Sequence, residues 1–339
     1  MRILVTGGAG FIGSNFVHHL LATSDDEVVV LDNLTYAGNL ANLEDLVGTS
    51  RYRFLRGDIA DSETVGAVVR DVQAIVNFAA ESHVDRSILD PTAFINTDVY
   101  GVYVLLEAAR DAAIERFVHV STDEVYGEIP TGSATEDAPL RPRSPYSASK
   151  AGGEMLVYAY HVTYGVPTII TRGSNTFGPY QYPEKLLPVV ITEALDNRPV
   201  PVYGDGRQVR DWLYVEDHCG AIDLALRHGT PGDAYNVGGG NERSNIEVIH
   251  TILDRLDRPH SLVQFVPDRP GHDVRYSLDS SKLNALGWKP SRPFDDALAA
   301  TVHWYTENQD WWRRLKDSAE YRTYFRSNYA ERRPAASGL

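Results

Sequence analysis

A tyrosine and a lysine stand four positions apart in Tyr146-Ser147-Ala148-Ser149-Lys150, and on a helix residues i and i+4 share a face. A free phenol, with a pKa of about 10, is a poor base at neutral pH. An ammonium on the same face, together with the positive ring of an oxidised nicotinamide, favours the phenolate. Such a pair can take the proton of an alcohol while hydride leaves the same carbon for a redox cofactor. Upstream lies Ser121-Thr122-Asp123-Glu124. Its threonine hydroxyl is suited to hydrogen-bond the oxygen that becomes a carbonyl. Its two adjacent carboxyls, if their protonation states are split, make an acid and a base. Neither cluster is specific by itself: Tyr-x-x-x-Lys is common on helix surfaces, and an acidic pair after a strand is an ordinary turn cap.

Their meaning comes from what precedes them. Thr6-Gly7-Gly8-Ala9-Gly10-Phe11-Ile12-Gly13 follows a short apolar run and opens a helical pattern. Gly7 permits the tight turn, Gly10 lets the backbone approach a pyrophosphate, and Gly13 lets helix and strand pack closely. The helix start contributes free N–H groups and partial positive charge for the phosphates. Asp32 ends the second apolar run, 19 residues after Gly13, where a carboxylate accepts from a ribose 2′-hydroxyl and repels a 2′-phosphate. The cofactor expected is therefore NAD rather than NADP. No Gly-Lys-Ser/Thr follows the glycines, which removes a mononucleotide P-loop. Asp58, after the third run, is either an adenine contact or a helix cap, and Phe78-Ala79-Ala80 after the fourth suits close cofactor approach or plain packing.

To hold these groups the chain offers apolar runs at 3–6, 27–32, 52–56, 74–78, 116–121 and 167–172, with helical patterns from near Phe11, Ser62, Pro91 and Ser147 between them. Runs rather than strict alternation, separated by helices, indicate a parallel sheet covered on both faces. The expected fold is a Rossmann-type doubly wound α/β sheet over residues 1–174 with a smaller, interleaved α/β lobe over 175–320. A strand–helix pair near 210–235 is expected to return to the first domain. The stretches 91–111 and 147–164 read as long helices with broad apolar faces, and 328–339, without apolar periodicity, as a disordered tail.

The 339 residues carry a net charge of −14, the wrong sign for a general nucleic-acid binder. An anionic ligand must then be held by a few local cations. Cys219 is the only cysteine, so no intrachain disulfide and no cysteine metal site are expected. There is no apolar leader at the amino end and no run near the ~18 residues of a membrane helix. A cytoplasmic protein, with no membrane partner and no metal, is the expectation.

Thr-Gly-Gly-x-Gly-x-x-Gly from Thr6, Thr122 and Tyr146-x-x-x-Lys150 together resemble the extended short-chain dehydrogenase/reductase family, over residues 1 to about 312. Within that family Thr122-Asp123-Glu124, Ala79-Ala80-Glu81-Ser82-His83-Val84-Asp85-Arg86-Ser87, Asn175 and Arg210-Asp211-Trp212-Leu213-Tyr214-Val215-Glu216-Asp217-His218 are similar to the nucleotide-sugar 4,6-dehydratases, those acting on dTDP-glucose above all. The resemblance implies catalytic Thr122, Asp123 (acid), Glu124 (base), Tyr146 and Lys150. It extends the NAD contacts to Phe11, Ile12, Asn33, Leu34, Thr35, Ile59, Ser82, Thr97 and Thr176, and to Tyr146 and Lys150 beside their catalytic roles. It implies a nucleotide-diphosphate sugar held by Ser82, His83, Thr122, Asn175, Glu184, Lys185, Pro201, Val202, Tyr203, Arg210, Asn245, Asp268, Arg269 and His272, and a homodimer through the two long helices. The alternatives are a UDP-glucose 4,6-dehydratase, a nucleotide-sugar 4-epimerase sharing the Tyr–Lys pair, and an NAD-binding regulatory protein without catalysis.

Overall fold

The computed structural model describes residues 1–330. Seven parallel strands make the main sheet: β1 (Arg2–Thr6), β2 (Glu27–Asp32), β3 (Tyr52–Arg56), β4 (Ala74–Asn77), β5 (Arg116–Thr122), β6 (Thr168–Gly173) and a seventh from much later in the chain. Successive side chains along a strand point to opposite faces. Ile3 and Val5 of β1 join one apolar cluster, with Phe16 and Ile222. Leu4 joins the other, with Val65, Leu105 and Val157. Both faces are thus buried, which is why the runs are continuously apolar. Each such side chain contributes roughly 1.5–3 kcal/mol by leaving water.

The order across the sheet reads seventh strand, β6, β5, β4, β1, β2, β3. The direction of winding reverses between β1 and β4, which pair directly. A crevice outside the carboxyl ends of the strands at such a reversal is the ligand site of open α/β sheets.

A second lobe covers that crevice. The chain after β6 adds β7 (Asn175–Phe177), β8 (Val200–Tyr203), β9 (Val209–Tyr214), β10 (Ala234–Val237), β11 (Glu242–Ser244) and β12 (Val263–Val266). Of these, β7, β9 and β11 form one small sheet, β8 and β12 pair in another, and β10 is the seventh strand of the main sheet, beside β6. The expected return near 210–235 therefore divides. β9 stays in the small sheet, while the helix Val215–His228 packs on the helix Phe11–Thr23 and feeds β10 into the large one. β10 is four residues, Ala-Tyr-Asn-Val, too short to read as a strand alone.

Three further differences from the sequence reading have local causes. The helix expected from 147 begins at Pro145, because Ser144 and Ser147 cap it reciprocally. The stretch 91–111 is not one regular helix. Pro91–Phe94 passes into a π-helical segment, Ile95–Gly101, before Val102–Asp111 resumes the α form. That wide turn carries Thr97 and the buried Asp98. The expected tail starts too early, since 326–330 continue the helix Ala319–Phe325 as a further turn. There Asn328 is buried and Tyr329 stacks on Tyr203 at 5.5 Å; residues 331–339 lie outside the described ones. Among the described residues no helix is long and apolar enough to cross a membrane, and no group of three His, Cys, Asp or Glu side chains is placed to hold a metal ion.

Candidate active site

One cleft runs along the carboxyl ends of the strands and takes in nearly every residue singled out from the sequence. Its first half is built from backbone. Gly7 has φ +66, and a Cβ there would lie 2.6 Å from the Ala79 nitrogen. A Cβ at Gly13 would lie 2.3 Å from the Gly7 carbonyl oxygen. Glycine is required at both by contact, not only by conformation. Gly10 caps the helix Phe11–Thr23 with no side-chain hydrogen bond, so the first-turn N–H groups of a helix that opens on the cleft await an acceptor. Asp32, 8% exposed, receives Ala9 N–H at 2.9 Å and Leu34 N–H at 2.8 Å, which fixes its carboxylate at the rim and leaves lone pairs on both oxygens. An uncapped helix start, a glycine gap and a fixed carboxylate fit the pyrophosphate and ribose of a dinucleotide. Asp58 accepts from Asn33 at 2.8 Å and from Ala60 N–H at 2.8 Å. It is thus a turn cap that also lines the cleft, as do Phe11, Ile12, Asn33, Thr35, Ile59, Phe78, Ala79, Ala80, Ser82, Thr97 and Thr176.

The chemical groups converge at the middle. Thr122 ends β5, and a 3-10 turn, Asp123–Tyr126, follows. The Thr122 hydroxyl donates to Asp123 Oδ1 at 3.2 Å and accepts Glu124 N–H at 3.2 Å. Asp123 is 4% exposed and its Oδ2 has no hydrogen-bond partner. Burial, then the Glu124 charge beside it, pushes its carboxyl well above the ordinary carboxylate range. Burial also raises Glu124, but Arg269, Arg210 and Lys185 oppose the rise. The environment therefore splits the pair, keeping the proton on Asp123 and the charge on Glu124.

Tyr146 departs from expectation. Burial first, then the Glu124 and Asp98 charges, pushes its phenol well above its ordinary value, against a hydrogen bond with Thr122. Lys150 donates from Nζ to the Val120 carbonyl at 2.8 Å, and burial lowers it against the opposing charges of Asp98 and Glu154. Left to this chain's own groups, Tyr146 keeps its proton. The phenolate expected from the lysine and a positive nicotinamide ring together therefore depends on the ring, since burial and the nearby carboxylates oppose it.

The second half of the cleft is built from charged and polar side chains. Arg210 and Arg269 enter it with Lys185, whose Nζ donates to the Ser82 carbonyl at 2.6 Å. Asn175 Oδ1, Asn245 Oδ1 and Arg269 Nε are buried without partners, and all three residues line the cleft. Unmet buried polar atoms are costly unless a ligand meets them. Glu184 is bound to Arg86 at 2.9 Å. His83 is held neutral by burial, with Lys185, Arg269 and Arg86 adding to the effect. Pro201, Val202, Tyr203 and His272 complete the wall.

Two expected contacts fall outside. Leu34 turns at φ +57 and packs against the main apolar cluster, so its backbone alone serves Asp32. Asp268 is not among the lining residues and accepts from Arg269 N–H at 2.8 Å, Gln208 at 3.0 Å and His272 Nδ1 at 2.6 Å, bracing two residues of the wall. Conversely, Glu81, Asp85, Gln181, Trp212 and His218 line the cleft unforeseen. Burial, then Asp98, pushes Glu81 up to about 7. Glu81 and Asp85, like Trp212 and His218, fall inside segments that carried the family resemblance; Gln181 had no local signal.

The profile of a family described as GDP-mannose 4,6 dehydratase matches residues 4–301. The low-salt glycan biosynthesis protein Agl12 of Haloferax volcanii is 54% identical over 305 residues, covering 90% of this chain and 98% of that one. A dTDP-glucose 4,6-dehydratase of Streptomyces niveus is 50% identical over 326 residues, covering 94% and 97%. Among solved structures, the dTDP-glucose 4,6-dehydratase DesIV of Streptomyces venezuelae, determined with NAD bound, superposes with a TM-score of 0.92 at 53% identity. It covers 93% of this chain and all of that one.

Proposed function

The chain belongs to the GDP-mannose 4,6-dehydratase family of extended short-chain dehydrogenases/reductases and is an NAD-dependent nucleotide-sugar 4,6-dehydratase; from that premise we propose that its substrate is dTDP-glucose, converted to dTDP-4-keto-6-deoxyglucose and water. The observation that carries the mechanism is the acid pair's placement: Asp123, buried with Oδ2 unpartnered, and Glu124, with Arg269, Arg210 and Lys185 around it, in the cleft that also holds Tyr146.

NAD, when bound, supplies a hydride acceptor, a hydride donor for the return step, and positive charge at its nicotinamide ring. Thr122 hydrogen-bonds the C4 oxygen, and Tyr146 takes the C4 hydroxyl proton once that positive charge offsets the carboxylates around it. With C4 a ketone, the C5–H bond is acidified. Glu124, ionised opposite Arg269, Arg210 and Lys185, takes that proton. Asp123 gives its proton to the departing C6 hydroxyl, and water leaves. As C6 is reduced Glu124 returns its proton to C5, and the proton that Tyr146 gained from the C4 hydroxyl replaces the one that Asp123 gave to the departing water, which resets both groups. General acid–base steps of this kind contribute roughly 10²–10⁴-fold each. Arg210, Arg269 and Lys185 hold the diphosphate; guanidinium forks suit that task.

The same reading includes a homodimer. Tyr100, Tyr103, Met155, Tyr158, Val162 and Tyr164 are exposed on the two helical stretches expected to carry it, a patch of the kind that marks protein contact.

The test is a product assay on dTDP-glucose and UDP-glucose side by side in deuterated water, with no cofactor added. Turnover of dTDP-glucose to a 6-deoxy product with solvent deuterium at C5 is expected, because elimination exchanges that position. A product still oxygenated at C6 and unlabelled at C5 identifies an epimerase instead. Preferential turnover of UDP-glucose refutes the substrate.

A further inference from the structure

Among the buried carboxyls that the mechanism does not use, Asp98 is hydrogen-bonded to the Tyr–Lys helix from another element. Asp98 sits in the π-helical segment, 1% exposed, directly beneath the Tyr146–Lys150 helix. Its Oδ2 accepts from Ser149 Oγ at 2.6 Å, and that hydroxyl is also within 2.8 Å of the Tyr146 carbonyl. Its Oδ1 accepts from Glu81 N–H at 3.0 Å. The carboxylate is thereby locked between the residue preceding Lys150 and the loop that enters the cleft. Lys150, 4% exposed, gives its Nζ to the Val120 carbonyl at 2.8 Å, a neutral partner that offers no compensating charge.

We infer that Asp98 is the fixed counter-charge of Lys150, a positioning residue that keeps the buried ammonium charged beside Tyr146. The inference rests on the proposed role of the Tyr146–Lys150 pair in the first oxidation. The wide turn explains how a carboxylate reaches this place: the segment departs from α geometry where it carries Asp98, and such insertions recur at functional sites.

The other groups around the pair do not take its place. From the helix itself come Tyr146 and Glu154. Glu154 is bound to Arg172 of β6 at 2.7 Å, so its charge is matched. From β5 comes His119, held neutral by burial. From the turn after β5 come Asp123 and Glu124, facing Arg210 and Arg269. From the loop after β4 comes Glu81, raised to about 7 by burial and by Asp98 itself. From the helix Val84–Leu89 come Asp85 and Arg86, the latter bound to Glu184. Among the described acids Asp98 is the largest opposing influence on the burial of Lys150.

The experiment is the pH profile of kcat for Asp98→Asn, which keeps the shape and one acceptor oxygen. Loss of the carboxylate lowers the Lys150 pKa, so the ammonium disappears at lower pH and the alkaline limb moves down. Burial pushes Asp98 itself up to about 6. Below that pH the wild type is protonated too, and the two proteins converge. A fall of about tenfold relative to wild type at pH 8.5, against about twofold or less at pH 5.5, is expected from a shift of about one unit. A ratio independent of pH means a merely structural role and overturns the inference.

A thermal cycle decides the matter even if activity is lost. Lys150→Met strands the Asp98 charge, so adding Asp98→Asn should raise Tm by about 2–4 °C, whereas the same change in wild type should not. Equal effects in both backgrounds overturn it. Wild type that dehydrates no nucleotide sugar defeats the functional reading alone, and the cycle still stands.

Discussion

The two halves of the cleft are made of different materials. On the cofactor side, recognition lies in backbone: two glycines with no room for a Cβ, an uncapped helix start, and one carboxylate fixed by two N–H groups. On the sugar side it lies in side chains of both charges, Arg210, Arg269 and Lys185 around Glu124, with Glu184 bound to Arg86. A backbone site suits a ligand whose shape and charge stay the same whenever it binds. A charged site suits a ligand that changes protonation and bonding during the reaction, because the charges of neighbouring groups can set which acid holds a proton. The cofactor half therefore tolerates no added volume, and the substrate half no change of charge.

The largest effect is expected at the seam. Tyr146→Phe removes a proton acceptor while preserving ring volume, so kcat should fall by roughly 10²–10⁴. NAD content and affinity for the nucleotide sugar should stay near wild type, since neither half is touched. Spectral quantitation of copurified cofactor and equilibrium binding of the sugar nucleotide check this. Normal turnover removes Tyr146 from the chemistry.

Next comes Gly13→Ala. One methyl group would be driven to 2.3 Å from the Gly7 carbonyl, and backbone must yield. A stability loss of about 1–3 kcal/mol is expected, with NAD lost during purification while binding of the free nucleoside diphosphate in the other half persists. Retention of NAD at wild-type stoichiometry breaks the contrast, because the glycine path would then be dispensable.

The same difference in material decides what could be read from the chain. Backbone recognition needs glycines at fixed spacing beside a strand, so Gly7, Gly10, Gly13 and Asp32 announced themselves locally. The central early strands β1, β2, β4 and β5 did so too, being largely apolar on both faces. Side-chain recognition assembles from distant segments: Asn175, Lys185, Arg210, Asn245 and Arg269 share a cleft only through the folding of the second lobe. Family resemblance placed them; spacing did not. Asp268 shows the limit of carrying positions over, since it braces Arg269 and His272 and is not itself part of the lining. β10 was missed because four residues carry little pattern. Asp98 was missed because a polar residue in a helical run reads as solvent-facing, and nothing local marks the π turn that buries it.

The smallest expected effect concerns Glu81, where the two materials meet. Its carboxyl is pushed from 4.5 to about 7 by burial, then by Asp98. A carboxyl whose folded pKa is raised binds its proton more tightly folded than unfolded. It therefore contributes stability below about pH 4.5 that is lost as pH climbs through 7. The substitution Glu81→Gln keeps the side chain neutral at every pH. Against wild type its Tm should rise by about 2–4 °C at pH 8.5, since roughly 1 kcal/mol survives solvent screening. At pH 4.5 there should be no gain. A stabilisation of the same size at both pH values would point to packing, and the charge of Glu81 would then have no part in the seam. A gain confined to alkaline pH would mean that even here, one residue from the small alanines that meet the glycines, the protein accepts a costly buried acid on the side where charge is the working material.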